Sequence, residues 1–193
     1  MSADSSLEAA LSAAIEELNG ASIPYMLIGG LALSAWALPR ATLDIDLTLW
    51  VSADDLDRVC AHLCSRYTSR VADPNNFVHK TRVLPVVTDG GVRLDFLFAA
   101  FPFERRMIHR APLRDVGSVA VRVASLEDLI LLKLPSPRPR DQEDVRVIPI
   151  RTASNGTTCS ASEIYRRKHT TSLRLPRLYE SIGRPCPRRV ESI

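Results

Sequence analysis

The chain has 193 residues, about one domain's length, enough to bury roughly two thirds of its unfolded surface without help from disulfides. Hydrophobic residues at 46% and charged residues at 24% match an ordinary globular domain and exclude a wholly disordered, collagenous or coiled-coil chain. The net charge of +3 is uneven: residues 145–193 hold ten Lys+Arg against three Asp+Glu, and residues 1–144 hold fifteen against nineteen, so a −4 segment is joined to a +7 one.

Met1 to Ser6 carries acid where a secretory signal needs positive charge, and no apolar run approaches the ~20 residues of a membrane span, so a cytoplasmic address and no membrane partner are expected. Leu7, Leu11, Ile15 and Leu18 recur at helical spacing up to Asn19-Gly20, which predicts an amphipathic helix. Tyr25 to Ile28 is a short apolar strand feeding a Gly29-Gly30 turn, and Leu31 to Leu38 is a helix stopped by Pro39. Residues 44 to 50 alternate with period 2 and predict a strand, with Asp44, Asp46, Thr48 and Trp50 on one face. Ser52 precedes a helix with an acidic first turn, whose face includes Leu56, Val59, Cys60 and Leu63.

The cysteines Cys60, Cys64, Cys159 and Cys186 show no zinc spacing. Arg82 to Val87, Asp89-Gly90-Gly91 and Val92 to Phe98 predict a hairpin. Val119 to Val123 is a further strand. Ser125 opens a helix through Leu129, Ile130 and Leu132 to Lys133, which Pro135 stops, and Asp141 to Ile148 is a last short helix. Two regions result: a folded domain over 1–148, and a basic, weakly structured tail over 149–193 in which apolar periodicity fails. The tail has the composition of GC-rich DNA read out of frame; the rival reading is a basic arm for nucleic acid.

On one strand face Asp44 and Asp46 stand about 7 Å apart at Cα. Asp95, flanked by Leu94 and Phe96, adds a third carboxylate if its strand is a neighbour. Three hard oxygen ligands on a rigid sheet are what Mg²⁺ requires, with positions left for water and substrate phosphates. Upstream, Gly29-Gly30 at a strand end lets backbone N–H groups approach a phosphate. Arg40 and Lys133 are candidate phosphate clamps, the first a planar fork and the second a point charge. Asp141 can orient an acceptor or take its proton, and equally can cap a helix. His62, His79, His109 and His169 match no motif, and Trp36 and Trp50 read as packing.

Gly29-Gly30, then Asp44-Ile45-Asp46-Leu47, then Asp95 in Val92-Arg-Leu-Asp-Phe96, together resemble the signature of the DNA polymerase β-like nucleotidyltransferase superfamily. Pro39-Arg40-Ala-Thr42-Leu-Asp44-Ile-Asp46 is similar to the AbiEii-type toxins and their minimal nucleotidyltransferase relatives. Ser125 to Lys133 resembles that family's third motif, and Arg138-Pro-Arg-Asp141-Gln-Glu-Asp144 its fourth. Pro135 and Pro137 depart from the family's smoother turn, and nothing after Ile148 resembles the helices that usually follow. The resemblance covers about residues 20 to 148 and implies an α/β (α+β) polymerase β-like nucleotidyltransferase fold, a small mixed sheet flanked by helices.

It further implies Mg²⁺-dependent transfer of a nucleoside monophosphate from an NTP such as ATP to the hydroxyl of a tRNA, a protein or a small molecule, within a bacterial toxin–antitoxin or defence system that includes an antitoxin partner. In that scheme Asp44, Asp46 and Asp95 hold metal, Gly29, Gly30 and Ser34 hold phosphates with Arg40, and Lys133 and Asp141 complete the catalytic set. The alternative is an inactive module with the same fold that binds nucleic acid or a partner protein.

Overall fold

Ala10, Leu11, Ala14, Ile15 and Leu18 follow one another at steps of one or three residues, so a helix through them carries all of them on one side. The computed structural model describes residues 3–36, 38, 42–151 and 158–160. In it that helix is α1 (Ala3–Gly20), with those side chains buried. The described residues divide into two compact units between Ser125 and Leu126, inside the stretch over which the sequence reading places one domain.

In the first unit β1 (Tyr25–Ile28) runs directly into α2 (Gly29–Ala35). The glycine pair expected as a turn therefore forms the first two residues of the helix, which ends at Ala35, short of Leu38. After β2 (Asp44–Leu49) comes α3 (Leu56–Arg66), preceded by a separate turn in which the Ser52 hydroxyl donates to Asp55 Oδ2 at 2.7 Å. Ser52 closes that turn instead of capping the helix. Then follow β3 (Thr68–Ser69), α4 (Pro74–Thr81), β4 (Val83–Val87) and β5 (Arg93–Phe98). The unit ends with α5 (Pro102–Arg110), β6 (Leu113–Val116) and β7 (Val119–Arg122).

β1 to β5 form one sheet in the order β1-β2-β5-β4-β3. Only β2 and β5 run parallel; the other pairs are antiparallel. The parallel register sets Ile45 beside Leu94, Leu47 beside Phe96 and Leu49 beside Phe98, all buried. Each such side chain contributes about 1.5–3 kcal/mol by leaving water, which makes this face of the central strands the core and leaves the other free for polar residues. The expected β4–β5 hairpin is present, closed by Gly91 N–H donating to Thr88 O at 2.8 Å. β6 and β7 form a second hairpin, and Glu8 of α1 accepts from Ser118 N at 3.2 Å and from the Ser118 hydroxyl at 2.7 Å at its turn. These bonds hold the Glu8 carboxyl below its ordinary range.

The second unit comprises α6 (Leu126–Lys133), α7 (Pro139–Val147), β8 (Pro149–Arg151) and β9 (Thr158–Ser160). Pro139 at the first position of α7 brings a preset φ and no wasted donor, which moves the helix start two residues ahead of Asp141. β8 and β9 pair antiparallel within the segment expected as a weakly structured tail; residues 152–157 and 161–193 lie outside the described ones. Among the described residues no helix is long and apolar enough to cross a membrane.

Candidate active site

Residues beside one another in paired strands point to the same face, and one such row crosses the large sheet. Ile28 of β1 lies beside Asp46 of β2, Asp46 beside Asp95 of β5, and Asp95 beside Pro85 of β4. The row continues to Arg70, just past β3, whose N–H donates to Pro85 O at 2.9 Å. With strands about 4.8 Å apart, Asp46 and Asp95 are immediate neighbours. Asp44, two residues before Asp46 on the same face, lies beside Arg93. The structure thus brings together the three carboxylates that the sequence proposes, and adds two arginines that it does not.

Gly29 closes one end of the row. Its φ is +72°, in the left-handed region, and a Cβ built on it would run into the Asp46 carboxylate, 2.9 Å from Cγ. Only a residue without a side chain lets the strand end come this close to Asp46. Ser34 lies one turn into α2 and its hydroxyl donates to Gly30 O at 3.3 Å.

Arg70 Nη1 donates to Asp95 Oδ1 at 3.0 Å, and Arg93 Nε stands 3.4 Å from Asp44 Oδ1. Burial pushes the Asp95 carboxyl above its ordinary range; Arg70 pulls it down and Asp44 pushes it up. As the side chains stand, no group of three His, Cys, Asp or Glu among the described residues is gathered into a metal cage; one oxygen of Asp95 faces Arg70 and one of Asp44 faces Arg93. The donor set nevertheless suits a hard cation: the carboxylates share one face, two of them are direct neighbours, and Asp44 Oδ1 is shielded from solvent without a hydrogen bond. Oxygen ligands of this kind are those that Mg²⁺ selects.

In the second unit Lys133 is buried, with Nζ 2.8 Å from Asp141 Oδ1 and 2.7 Å from Asp144 Oδ2. The Ser136 hydroxyl donates to Asp141 Oδ2 at 2.7 Å. Burial alone would raise the Asp141 carboxyl, but the bonds from Lys133 and Ser136 outweigh it and hold it below its ordinary range. Lys133 as phosphate clamp and Asp141 as base would each have to leave this network. Arg40 lies outside the described residues.

His62 bonds Glu17 Oε1 at 2.7 Å and His79 bonds Asp57 Oδ1 at 2.6 Å, while His109 is exposed; His169 lies outside the described residues. Trp36 Nε1 donates to Ala124 O at 2.9 Å beneath the Arg114 guanidinium, as a packing residue does. Burial and Cys64 push the Cys60 thiol up to about 12 on the inner face of α3. Of the residues the sequence reading missed, Arg93 was legible, since period 2 sets it on the face of Asp95. Arg70 was not, because only the sheet order brings it there.

A family model described as nucleotidyl transferase AbiEii toxin, type IV toxin–antitoxin system, matches residues 11–171. The match runs past Ile148 into the basic segment. No curated protein sequence matches the chain. Among solved structures, an antigenic nucleotidyltransferase-like protein from Paracoccidioides brasiliensis is 16% identical, with 91% of each chain covered and a TM-score of 0.50. The antibiotic-resistance factor ANT(2'')-Ia is 19% identical over 67% of this chain and 75% of its own, with a TM-score of 0.46. The Thermotoga maritima protein TM1012 is 12% identical over 68% and 84%, with a TM-score of 0.43. With a carboxylate row on a mixed sheet and a family match over most of its length, the chain belongs to the AbiEii nucleotidyltransferase toxin family.

Proposed function

We propose that the protein transfers a nucleoside monophosphate from an NTP to an acceptor hydroxyl in a Mg²⁺-dependent reaction, as the toxin of a type IV pair whose antitoxin counters it. The observation that carries this reading is the row in which Gly29 meets Asp46 and Asp46 meets Asp95, with Asp44 on the same face. Asp44, Asp46 and Asp95 would hold the metal. The chemistry it supplies when bound is stabilisation of charge on the attacking and leaving oxygens of an in-line displacement.

The chain's own residues do the rest. The backbone N–H groups of Gly29 and Gly30, at the start of α2 and beside Asp46, take the β,γ-phosphates. Asp46, backed by Gly29 and neighboured by Asp95, has its place fixed by two strand pairings. The new bond joins the acceptor oxygen to the α-phosphorus, the α-phosphorus to bridging-oxygen bond breaks, pyrophosphate leaves, and the acceptor's hydroxyl proton passes to water.

Incubation with each α-labelled NTP and total cellular RNA or lysate tests this. Label is expected to appear on an acceptor only with Mg²⁺, and Asp46→Asn is expected to stay folded and lose transfer by several orders of magnitude. NTP binding indifferent to both Mg²⁺ and Asp46→Asn would leave an inactive binding module in its place.

A further inference from the structure

The carboxylate row has two unlike flanks. On the β1 side stands Gly29, bare of side chain; on the β4 side stands Arg70, tied to the sheet by its N–H on Pro85 O at 2.9 Å. In an in-line displacement the acceptor enters opposite the departing pyrophosphate. With the triphosphate on the Gly29 flank, the acceptor's place is therefore the flank of Asp95 and Arg70.

Arg70 is built to be held still there. The bend around it is closed by the Ser69 hydroxyl, which donates to Val71 O at 2.9 Å and accepts from Val71 N at 3.2 Å. Its Nη1 is anchored on Asp95 at 3.0 Å while the side chain keeps 37% of its surface exposed. A guanidinium has five N–H donors in a fixed plane. Anchoring one nitrogen orients the others, and Nε and Nη2 have no partner among the described residues. Arg93, 58% exposed, adds a second guanidinium on the same face.

We propose that Arg70 is an acceptor-binding residue that grips a phosphate group of the molecule whose hydroxyl is modified. The proposal rests on the nucleotidyltransferase reading and narrows it: the acceptor is a phosphate ester bearing a free hydroxyl, and a polycationic aminoglycoside is disfavoured. A planar fork matches phosphate oxygens in pairs, and an amine-rich substrate offers it no such acceptor. Two sources of this chemistry exist, the 3′ end of a nucleic acid and a small sugar phosphate.

The test compares the wild-type chain with Arg70→Gln and Arg70→Lys, without NTP. The probes are a short fluorescein-labelled oligoribonucleotide with a free 3′-hydroxyl, read by anisotropy over a salt series, and ribose 5-phosphate and tobramycin, read by calorimetry. One phosphate-bearing probe is expected to bind, with affinity about fivefold or more weaker in Arg70→Gln. If that probe is the oligonucleotide, Arg70→Gln should also lower its salt slope by about one, and Arg70→Lys should restore the slope without the full affinity. Tighter binding of the oligonucleotide assigns a nucleic-acid acceptor, and of ribose 5-phosphate a small one.

Arg70→Gln binding as well as wild type, neither phosphate probe binding, or tobramycin binding tightest overturns the proposal. If Arg70→Gln fails to fold, the Arg70→Lys comparison decides: affinity equal to wild type overturns the grip. Binding of a fluorescent ATP analogue with Mg²⁺ is followed separately. Its absence in the wild type defeats the nucleotidyltransferase reading, whereas its retention in Arg70→Gln alongside lost acceptor affinity isolates the role of Arg70.

Discussion

A methyl group on Gly29 would have to enter the space of the Asp46 carboxylate, on a backbone whose φ of +72° already disfavours any residue with a Cβ. Gly91 shares the second burden without the first: its φ is +78° and nothing lies within 4 Å of an added Cβ. Gly91→Ala is therefore expected to cost about 1 kcal/mol for the left-handed backbone alone, and Gly29→Ala about 2–3 kcal/mol together with loss of NTP binding. Urea melts of both variants measure the difference; equal losses would mean that Asp46 simply moves aside. In the second unit, Asp141 is held below the ordinary carboxylate range by Lys133 and Ser136. A depressed folded-state pKa adds stability above the unfolded value and loses it as pH falls through the folded one. The melting-temperature gap between wild type and Asp141→Asn is thus expected to be full at neutral pH and to close below about pH 4. A gap constant from pH 7 to pH 3 would remove the ion pair from the account.

At the scale of elements, α4 shows how a helix with little apolar pattern still forms. Asp73 Oδ1 accepts from Asn76 N at 3.1 Å, Pro74 presets the first turn, and Arg82 ends the helix in the left-handed conformation at φ 59°. Glycine suits that position better, so Arg82→Gly is expected to raise stability by about 0.5–1 kcal/mol and Arg82→Ala to give no gain, as read from denaturation midpoints. Asp73-Pro74 was a legible start signal, yet only Val78 of α4 is buried, so no helical period announced the rest. The same holds for α5, where Glu104 Oε2 accepts from Ala100 N and Phe101 N at 2.8 and 2.9 Å ahead of a helix that buries only Met107 and Ile108. β1 was legible as a short continuous apolar run, β2 by the period 2 that burial on one face imposes, and the β4–β5 hairpin by the glycine its turn demands. β3 and β6 were not, being short strands whose pairing depends on partners that local sequence does not name.

At the scale of the whole molecule, the carboxylates could be read as a set because each lies in a strand that declares itself. That Asp46 and Asp95 stand side by side is a property of strand order, and so is the presence of Arg70 beyond them. The charge contrast between residues 1–144 and 145–193 was plain in composition, whereas the β8–β9 pairing within the basic segment was not. The parallel pairing of β2 with β5 has a further consequence, in time. It closes a loop over residues 50–92, at an entropic cost on the order of 3 kcal/mol that is offset only once Leu94, Phe96 and Phe98 have joined Ile45, Leu47 and Leu49. A nascent chain that has not yet delivered β5 from the ribosome holds Asp44 and Asp46 without their neighbour. A chain that stops short of β5 therefore lacks the full carboxylate row, however well its first half folds.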